Sequence, residues 1–206
     1  PKELPLTEYP DERETLSVGV FGENESFFTI KGIAEAVAAA LDITFEYESS
    51  TKTFLHPYQT ANIICDGDVV GYLGKVSYEI KDELDMRADA YVMEIDLRLL
   101  SKWYGKEQVF TPISKFAEEK RDFAFVVDKS ITCAQIEKGI KEACEYVTDI
   151  NLFDVYEGVQ LPADKKSMAF SVVFTPKNEE FTAKKMEGYV DGVLKHLSDT
   201  LGITLR

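Results

Sequence analysis

The sequence predicts an α+β chain of two domains, and three observations carry that prediction. Segments alternating with period two lie between segments with a helical apolar stripe, in an order that favours antiparallel sheets. A stretch at 105–114 containing Pro112 interrupts both patterns and is the expected boundary. Beyond it the elements run β-α-β-β-α-β to the end of the chain. At 206 residues, 45% hydrophobic and 29% charged, the chain is long enough for two modest cores and has no composition favouring disorder.

In the first domain, 1–110, Leu16, Val18 and Val20 alternate with Ser17, Gly19 and Phe21 as in a strand, and 22–25 break it. Ser26 is the expected cap of a helix from 27 toward 41, with Phe28, Ile30, Ile33, Val37 and Leu41 as its apolar stripe. A strand at 43–47 follows. Segments 60–65 and 69–76 flank Asp66-Gly67-Asp68, a hairpin with turn residues in place. A strand at 90–97 and a short helical exit at 99–104 complete the domain.

In the second domain, 111–206, strands are expected at 121–128, 148–156, 166–175 and 202–206, with helices at 132–146 and 182–200. Thr132 and Thr182 stand where N-caps belong, and Gly202 where a helix stops. This order is the split β-α-β arrangement of the ferredoxin-like plan. Alternation assigns Phe123, Phe125, Val127, Met168, Phe170, Val172 and Phe174 to the helix side, together with Phe153 and Val155. The opposite face then carries Asp122, Ala124, Val126, Leu152, Asp154, Tyr156, Ser167, Ala169, Ser171 and Val173. Small side chains beside a carboxylate, a phenol and two hydroxyls make a flat, accessible surface. Such a face can receive unstacked RNA bases, but pattern alone favours an ordinary subunit or domain interface.

Charge does not suggest RNA. The net charge is −14; residues 1–111 hold 10 Lys+Arg against 21 Asp+Glu, and 112–206 hold 13 against 16. Only the nearly balanced second part could approach phosphates, with its basic groups gathered on one side.

The wording of the second domain is more specific than its plan. Arg121-Asp122-Phe123-Ala124, then Leu152-Phe153-Asp154-Val155-Tyr156-Glu157-Gly158, then Lys166-Ser167-Met168-Ala169-Phe170 resemble the anticodon-binding domain of the bacterial phenylalanyl-tRNA synthetase β-subunit family. The first domain resembles that family's catalytic-like module through Phe27-Phe28-Thr29-Ile30-Lys31-Gly32, Leu55-His56-Pro57 and Val70-Gly71-Tyr72-Leu73-Gly74-Lys75-Val76. There are two departures: Ala117 stands where the family commonly has Pro, and Ser77-Tyr78 where it has His-Pro. The resemblance implies a partial class II synthetase-like antiparallel domain followed by a ferredoxin-like one. It also implies a role in ATP-dependent charging of phenylalanine tRNA, with ATP and Mg²⁺ on a partner α subunit of an α2β2 heterotetramer. The positions of Ala124, Asp154 and Ser167 are implied to lie at the first anticodon base, a guanine, whose N1–H and N2–H₂ a carboxylate can accept. Face assignment adds Tyr156 and Ser171. Arg121 suits either a phosphate or a nearby acid such as Asp122 or Glu118.

No catalytic constellation is expected in this chain itself. Arg13, Arg87 and Arg98 are not set as nucleotide-binding arginines, and Gly71-x-x-Gly74 leads to Lys75 rather than to a phosphate-binding turn. His56 and His196 suit structural or surface positions, and the clusters Asp82-Glu83-Asp85 and Glu118-Glu119 suit solvated faces. Cys65, Cys133 and Cys144 have no metal-ligand spacing and fit a reducing cytoplasm. No apolar run is long enough to span a bilayer. Pro1-Lys2-Glu3-Leu4-Pro5 lacks an initiator Met and a signal-peptide layout, and is read as the cut end of a longer subunit. The rival readings are a regulatory module binding a small ligand such as an amino acid, and a structural adaptor.

Overall fold

The computed structural model describes residues 12–103 and 114–205. The chain divides into two compact units, Pro1–Val109 and Phe110–Arg206. The expected boundary stretch and the end of the helical exit at Tyr104 lie outside the described residues, apart from Ser114.

The first unit contains strands β1 (Thr15–Phe21), β2 (Glu46–Ser49), β3 (Leu55–Cys65), β4 (Asp68–Val76) and β5 (Ala90–Asp96). They form an antiparallel sheet in the order β1-β5-β4-β3-β2. Helix α1 (Phe27–Ala40) starts at a capping box: Thr29 N–H donates to Ser26 Oγ at 3.3 Å, and Ser26 N–H to Thr29 Oγ1 at 3.2 Å. Its buried stripe is Ile30, Ala34 and Ala38, spaced i, i+4, i+8, packed with Ile63, Leu73, Met93 and Ile95. The small alanines let the helix lie close to the sheet. Phe28 is not in that stripe and is 75% exposed, because it stands about 200° around the helix from Ile30.

The hairpin between β3 and β4 turns on Asp66 and Gly67, both with positive φ, as the two-residue primed turns require. Strand β3 begins well before the expected position and includes Pro57; its irregular pairing between Leu55 and Thr60 accommodates a residue that cannot donate. Two short helices, α2 (Tyr78–Glu83) and α3 (Leu97–Leu100), complete the unit. At six residues, α2 is too short to show a period, although Ser77 caps it.

The second unit has β6 (Glu119–Asp128), α4 (Cys133–Ala143), β7 (Val147–Tyr156), β8 (Lys165–Phe174), α5 (Ala183–Leu201) and β9 (Thr204–Leu205). The strand order β7-β8-β6-β9, antiparallel throughout, is that of the ferredoxin-like fold. Thr132 caps α4 with a capping box to Gln135, Thr182 caps α5, and Gly202 ends α5 at φ 64°. Phe123, Phe125, Val127, Met168, Phe170, Val172 and Phe174 form the sheet side of the core, against Ile136 and Ile140 of α4 and Met186, Val193 and Leu197 of α5. Gly139 lets the two helices touch: a Cβ there would stand 2.7 Å from Leu197 Cδ2.

One strand departs from simple alternation. Leu152 pairs with Phe170 and Asp154 with Ala169, so Phe153 is an extra residue in β7, a bulge. Leu152 therefore points into the core rather than onto the open face, and Phe153 is 54% exposed rather than packed on the helices. Val155 shares the side of Met168 but is also exposed, outside the core cluster.

In the first unit Lys75 is buried and held by Asp89 at 2.6 Å and by the Tyr78 hydroxyl at 3.2 Å, while Lys81 reaches Asp89 at 2.7 Å. Hydrogen bonds from Lys75 and Lys81 outweigh desolvation and hold the Asp89 carboxyl below its ordinary value. A depressed carboxyl stabilises the fold above its unfolded pKa, so this contribution is present at neutral pH and is lost as pH falls below about 4. Asp89→Asn is expected to cost about 2 kcal/mol at pH 7, less than for a fully buried pair because Asp89 is partly exposed, and to flatten that acid-side loss. Urea unfolding followed by the fluorescence of Trp103, the only tryptophan and part of this unit's core, checks both.

Candidate nucleic-acid interface

The face of the second sheet opposite α4 and α5 is organised by the register of β6, β8 and β7 into cross-strand rows. Val126, Ser167 and Tyr156 form one row; Ala124, Ala169 and Asp154 the next; Asp122, Ser171 and Asn151 the third. Lys120, Val173 and Asp149 follow at one end, and Asp128 with Lys165 at the other. Rows are about 7 Å apart, two residues along a strand.

Ser167, Ala169 and Ser171 are buried although they lie opposite the helices. They belong to the central strand, where small side chains sink between larger neighbours on β6 and β7. Asp154, Asp122 and Asn151 on the flanking strands are exposed. Ser171 is 4% exposed and its Oγ has no hydrogen-bond partner among the described residues. Tyr156 is half-buried, and its phenol folds over the chain that follows: a Cβ on Gly158 would collide with the Tyr156 Oη and ring.

The structure thus gathers Ala124, Asp154, Ser167, Tyr156 and Ser171 on one face. Arg121 is not with them. It pairs with Val172 on the helix side, where its Nη1 donates to Glu119 Oε2 at 2.9 Å and to the Lys120 carbonyl at 2.8 Å. Glu119 takes the place of the acids expected to meet it. Asn151 and Asp149 are the face residues that strict alternation misses. The signal was present: polar residues at 149 and 151, then at 154 and 156, change phase by one residue across the bulge.

The face carries Asp122, Asp128, Asp149 and Asp154 against Lys120 and Lys165, and Lys165 is tied to Asp128 at 2.9 Å. Such a surface repels phosphates and accepts hydrogen bonds from donor-rich groups. Its small central residues leave room for a planar ring.

Comparison with known proteins agrees with the fold of both units. Residues 114–206 match the family described as "Ferredoxin-fold anticodon binding domain", and residues 2–97 match "Phenylalanyl tRNA synthetase beta chain CLM domain". A phenylalanine--tRNA ligase beta subunit of Bacillus licheniformis is 39% identical over 183 residues, covering 87% of this chain. Those of Clostridium tetani and Halalkalibacterium halodurans are 33% and 32% identical over 96% and 100% of it. The chain belongs to the phenylalanyl-tRNA synthetase β-subunit family. It spans about a quarter of the length of these relatives: 23%, 25% and 27%.

The described part of the family's catalytic-like module does not fit ATP or Mg²⁺. Among the described residues no group of three or more His, Cys, Asp or Glu is gathered as a metal site. Arg13 lies 3.8 Å from Asp96, and Arg98 sits in the one-turn helix α3. Gly71 and Gly74 serve strand packing: a Cβ on Gly71 would strike the Glu94 carbonyl, and one on Gly74 would lie 2.8 Å from the Gln59 carbonyl oxygen. A cavity of about 450 Å³ opens on the sheet face opposite α1, lined by Gly19, Phe54, Tyr72, Ile80, Val92 and Glu94, with the Tyr72 hydroxyl donating to Glu94 at 3.2 Å. Ser17 also lines it, opposite Glu94 in the β1–β5 register.

Gly158→Ala is expected to displace the Tyr156 ring while costing less than about 1 kcal/mol, since the site is a surface turn. Aromatic NMR should show a changed Tyr156 ring with Phe125 and Phe170 unmoved.

Proposed function

We propose that this chain is the anticodon-reading and architectural portion of a phenylalanine-tRNA ligase β subunit, without a catalytic site of its own. The observation that carries the reading is the row of Ala124, Ala169 and Asp154, flanked by Ser167 and Tyr156: an exposed carboxylate beside small side chains on an open sheet. A guanine edge offers N1–H and N2–H₂ to the Asp154 carboxylate, while Ala124 and Ala169 admit its ring and Tyr156 provides a stacking surface. Ser167 supplies a hydroxyl at the edge of the same base. Ser171 and its row take part alongside. Arg121, engaged with Glu119 on the other face, acts through a phosphate passing the sheet end or has a structural role only.

Family membership and the two domain matches support the wider reading. The partner is the anticodon of phenylalanine tRNA, and the assembly is an α2β2 heterotetramer in the cytoplasm. The α subunit binds ATP and Mg²⁺ and carries the chemistry. The first unit, whose described residues do not fit ATP, acts as an inactive synthetase-like scaffold, and the exposed Phe28 on α1 is its contact toward α. Phe28→Asp is expected to weaken co-purification with an α subunit while leaving the unfolding midpoint of this chain unchanged.

Binding to a phenylalanine anticodon stem-loop, followed by fluorescence anisotropy, tests the reader. Asp154→Ala should weaken a guanine-containing loop about tenfold and leave a loop with adenine at the first base unchanged. Because the face is acidic, the salt slope should correspond to fewer than about three neutralised phosphates. Equal losses on both loops would overturn the reading, and tight binding of an amino acid instead would favour a regulatory module.

A further inference from the structure

Recognition on the second sheet leaves the cavity of the first unit without a role. It opens beside a polar row that crosses the whole first sheet in register: Ser17 on β1, Glu94 on β5, Tyr72 on β4, Asn62 on β3 and Glu48 on β2. Its walls are apolar and fixed. Phe54 and Ile80 are both tied to Ser77, whose N–H donates to the Phe54 carbonyl at 3.0 Å and whose Oγ accepts from the Ile80 N–H at 3.4 Å. Phe54 also meets Tyr72 edge-on, with ring centroids 5.5 Å apart. At about 450 Å³ the cavity falls within the size range of small-molecule sites, roughly 300–1,000 Å³.

Two observations point to an occupant. The first is Gly19. A glycine inside a strand marks a bulge, a close backbone or a ligand. The β1–β5 pairing runs without a register shift, Gly19 is not among the glycines with positive φ, and a Cβ there would meet nothing within 4 Å. Neither the backbone nor the packing of this chain asks for glycine at 19; its effect is to keep the cavity floor open. The second is Glu94. It is half-buried, and Oε2 accepts from the Tyr72 hydroxyl at 3.2 Å, while no cation pairs with the carboxylate among the described residues. Lys52 comes close without serving: its Nζ lies over the Tyr72 ring, 4.6 Å from the centroid. Burial, and then the Glu94 charge, raise the Tyr72 phenol above its ordinary value, so it stays a donor that orients the carboxylate.

We propose that this cavity binds a small primary amine, protonated at neutral pH, that carries an apolar alkyl or aryl body. The ammonium donates to the free Glu94 oxygen and to the Ser17 hydroxyl, and the body lies over Gly19 and Val92 against Phe54 and Ile80. A carboxylate in a half-dry, apolar hollow attracts such a cation more strongly than one in open solvent, and it repels phosphates. Binding of this kind requires no catalytic group.

The test uses the 206-residue chain with 2-phenylethylamine and its neutral counterpart 2-phenylethanol, each titrated in by NMR. The amine should shift the amides of Ser17, Gly19, Val92 and Glu94 and bind about tenfold tighter than the alcohol. Glu94→Gln should bring the amine down to the affinity of the alcohol and leave the alcohol unchanged. Gly19→Leu should abolish binding of both while melting no lower than the wild type, a combination that a structural role for the glycine would not give. Equal affinities for amine and alcohol, no shifts at about 10 mM amine, or an unchanged amine affinity in Glu94→Gln overturns the site. Gln keeps the bond from Tyr72, so that comparison decides the matter even where Gly19→Leu does not fold. None of these outcomes bears on the anticodon face, which lies in the other unit.

Discussion

Strand β8 is the constraint on which the second unit depends. Met168, Phe170, Val172 and Phe174 on one side hold both helices to the sheet, and Ser167, Ala169 and Ser171 on the other keep the opposite face low. Because a strand alternates strictly, neither set can move without the other: a one-residue slip would bury serines among phenylalanines. Pairing with β6 is continuous over ten positions, so Ala124 is locked beside Ala169. Pairing with β7 is not continuous, and the bulge at Phe153 is what brings Asp154 level with them.

The same geometry decides what the face can do. Small residues at the centre and carboxylates at the rim leave little for a phosphate backbone to bind, so the proposed recognition acts through base edges. On that proposal, affinity comes from elsewhere in a larger assembly. Division of labour follows: a reader of low intrinsic affinity adds discrimination to a complex held together by other contacts. In the first unit, the glycines of β4 are occupied in bringing strands together.

Much of this was legible in the sequence. The order of elements and the inward phenylalanines of β6 and β8 follow from alternation, and the caps at Ser26, Thr132 and Thr182 follow from side-chain chemistry. What was not legible had physical causes. The bulge in β7 reverses the alternation midway, so Leu152 and Phe153 exchange roles and Asn151 enters the face. On α1, Ala34 and Ala38 join Ile30 against the sheet although a stripe of large residues does not include them, because close packing rewards small side chains there. Strand β3 runs through Pro57, which reads as a loop, and α2 is too short to have a period. Arg121 lies near Asp122 in sequence but across the sheet from it, and Glu119, two residues away on the same side, takes its guanidinium. The rim of the site was therefore harder to read than its centre: Ala124, Asp154 and Ser167 lie where alternation puts them.

The central claim is that the open face of the second sheet reads the first anticodon base. Chemical-shift mapping on the whole chain, with a phenylalanine anticodon stem-loop titrated in and a loop substituted at the first base as control, tests it most directly. The account predicts guanine-dependent shifts at Ala124, Asp154, Tyr156 and Ser167, with the core amides of α4 and α5 unmoved. Shifts confined to the helix side of this unit or to the first unit, or identical for both loops, would contradict it.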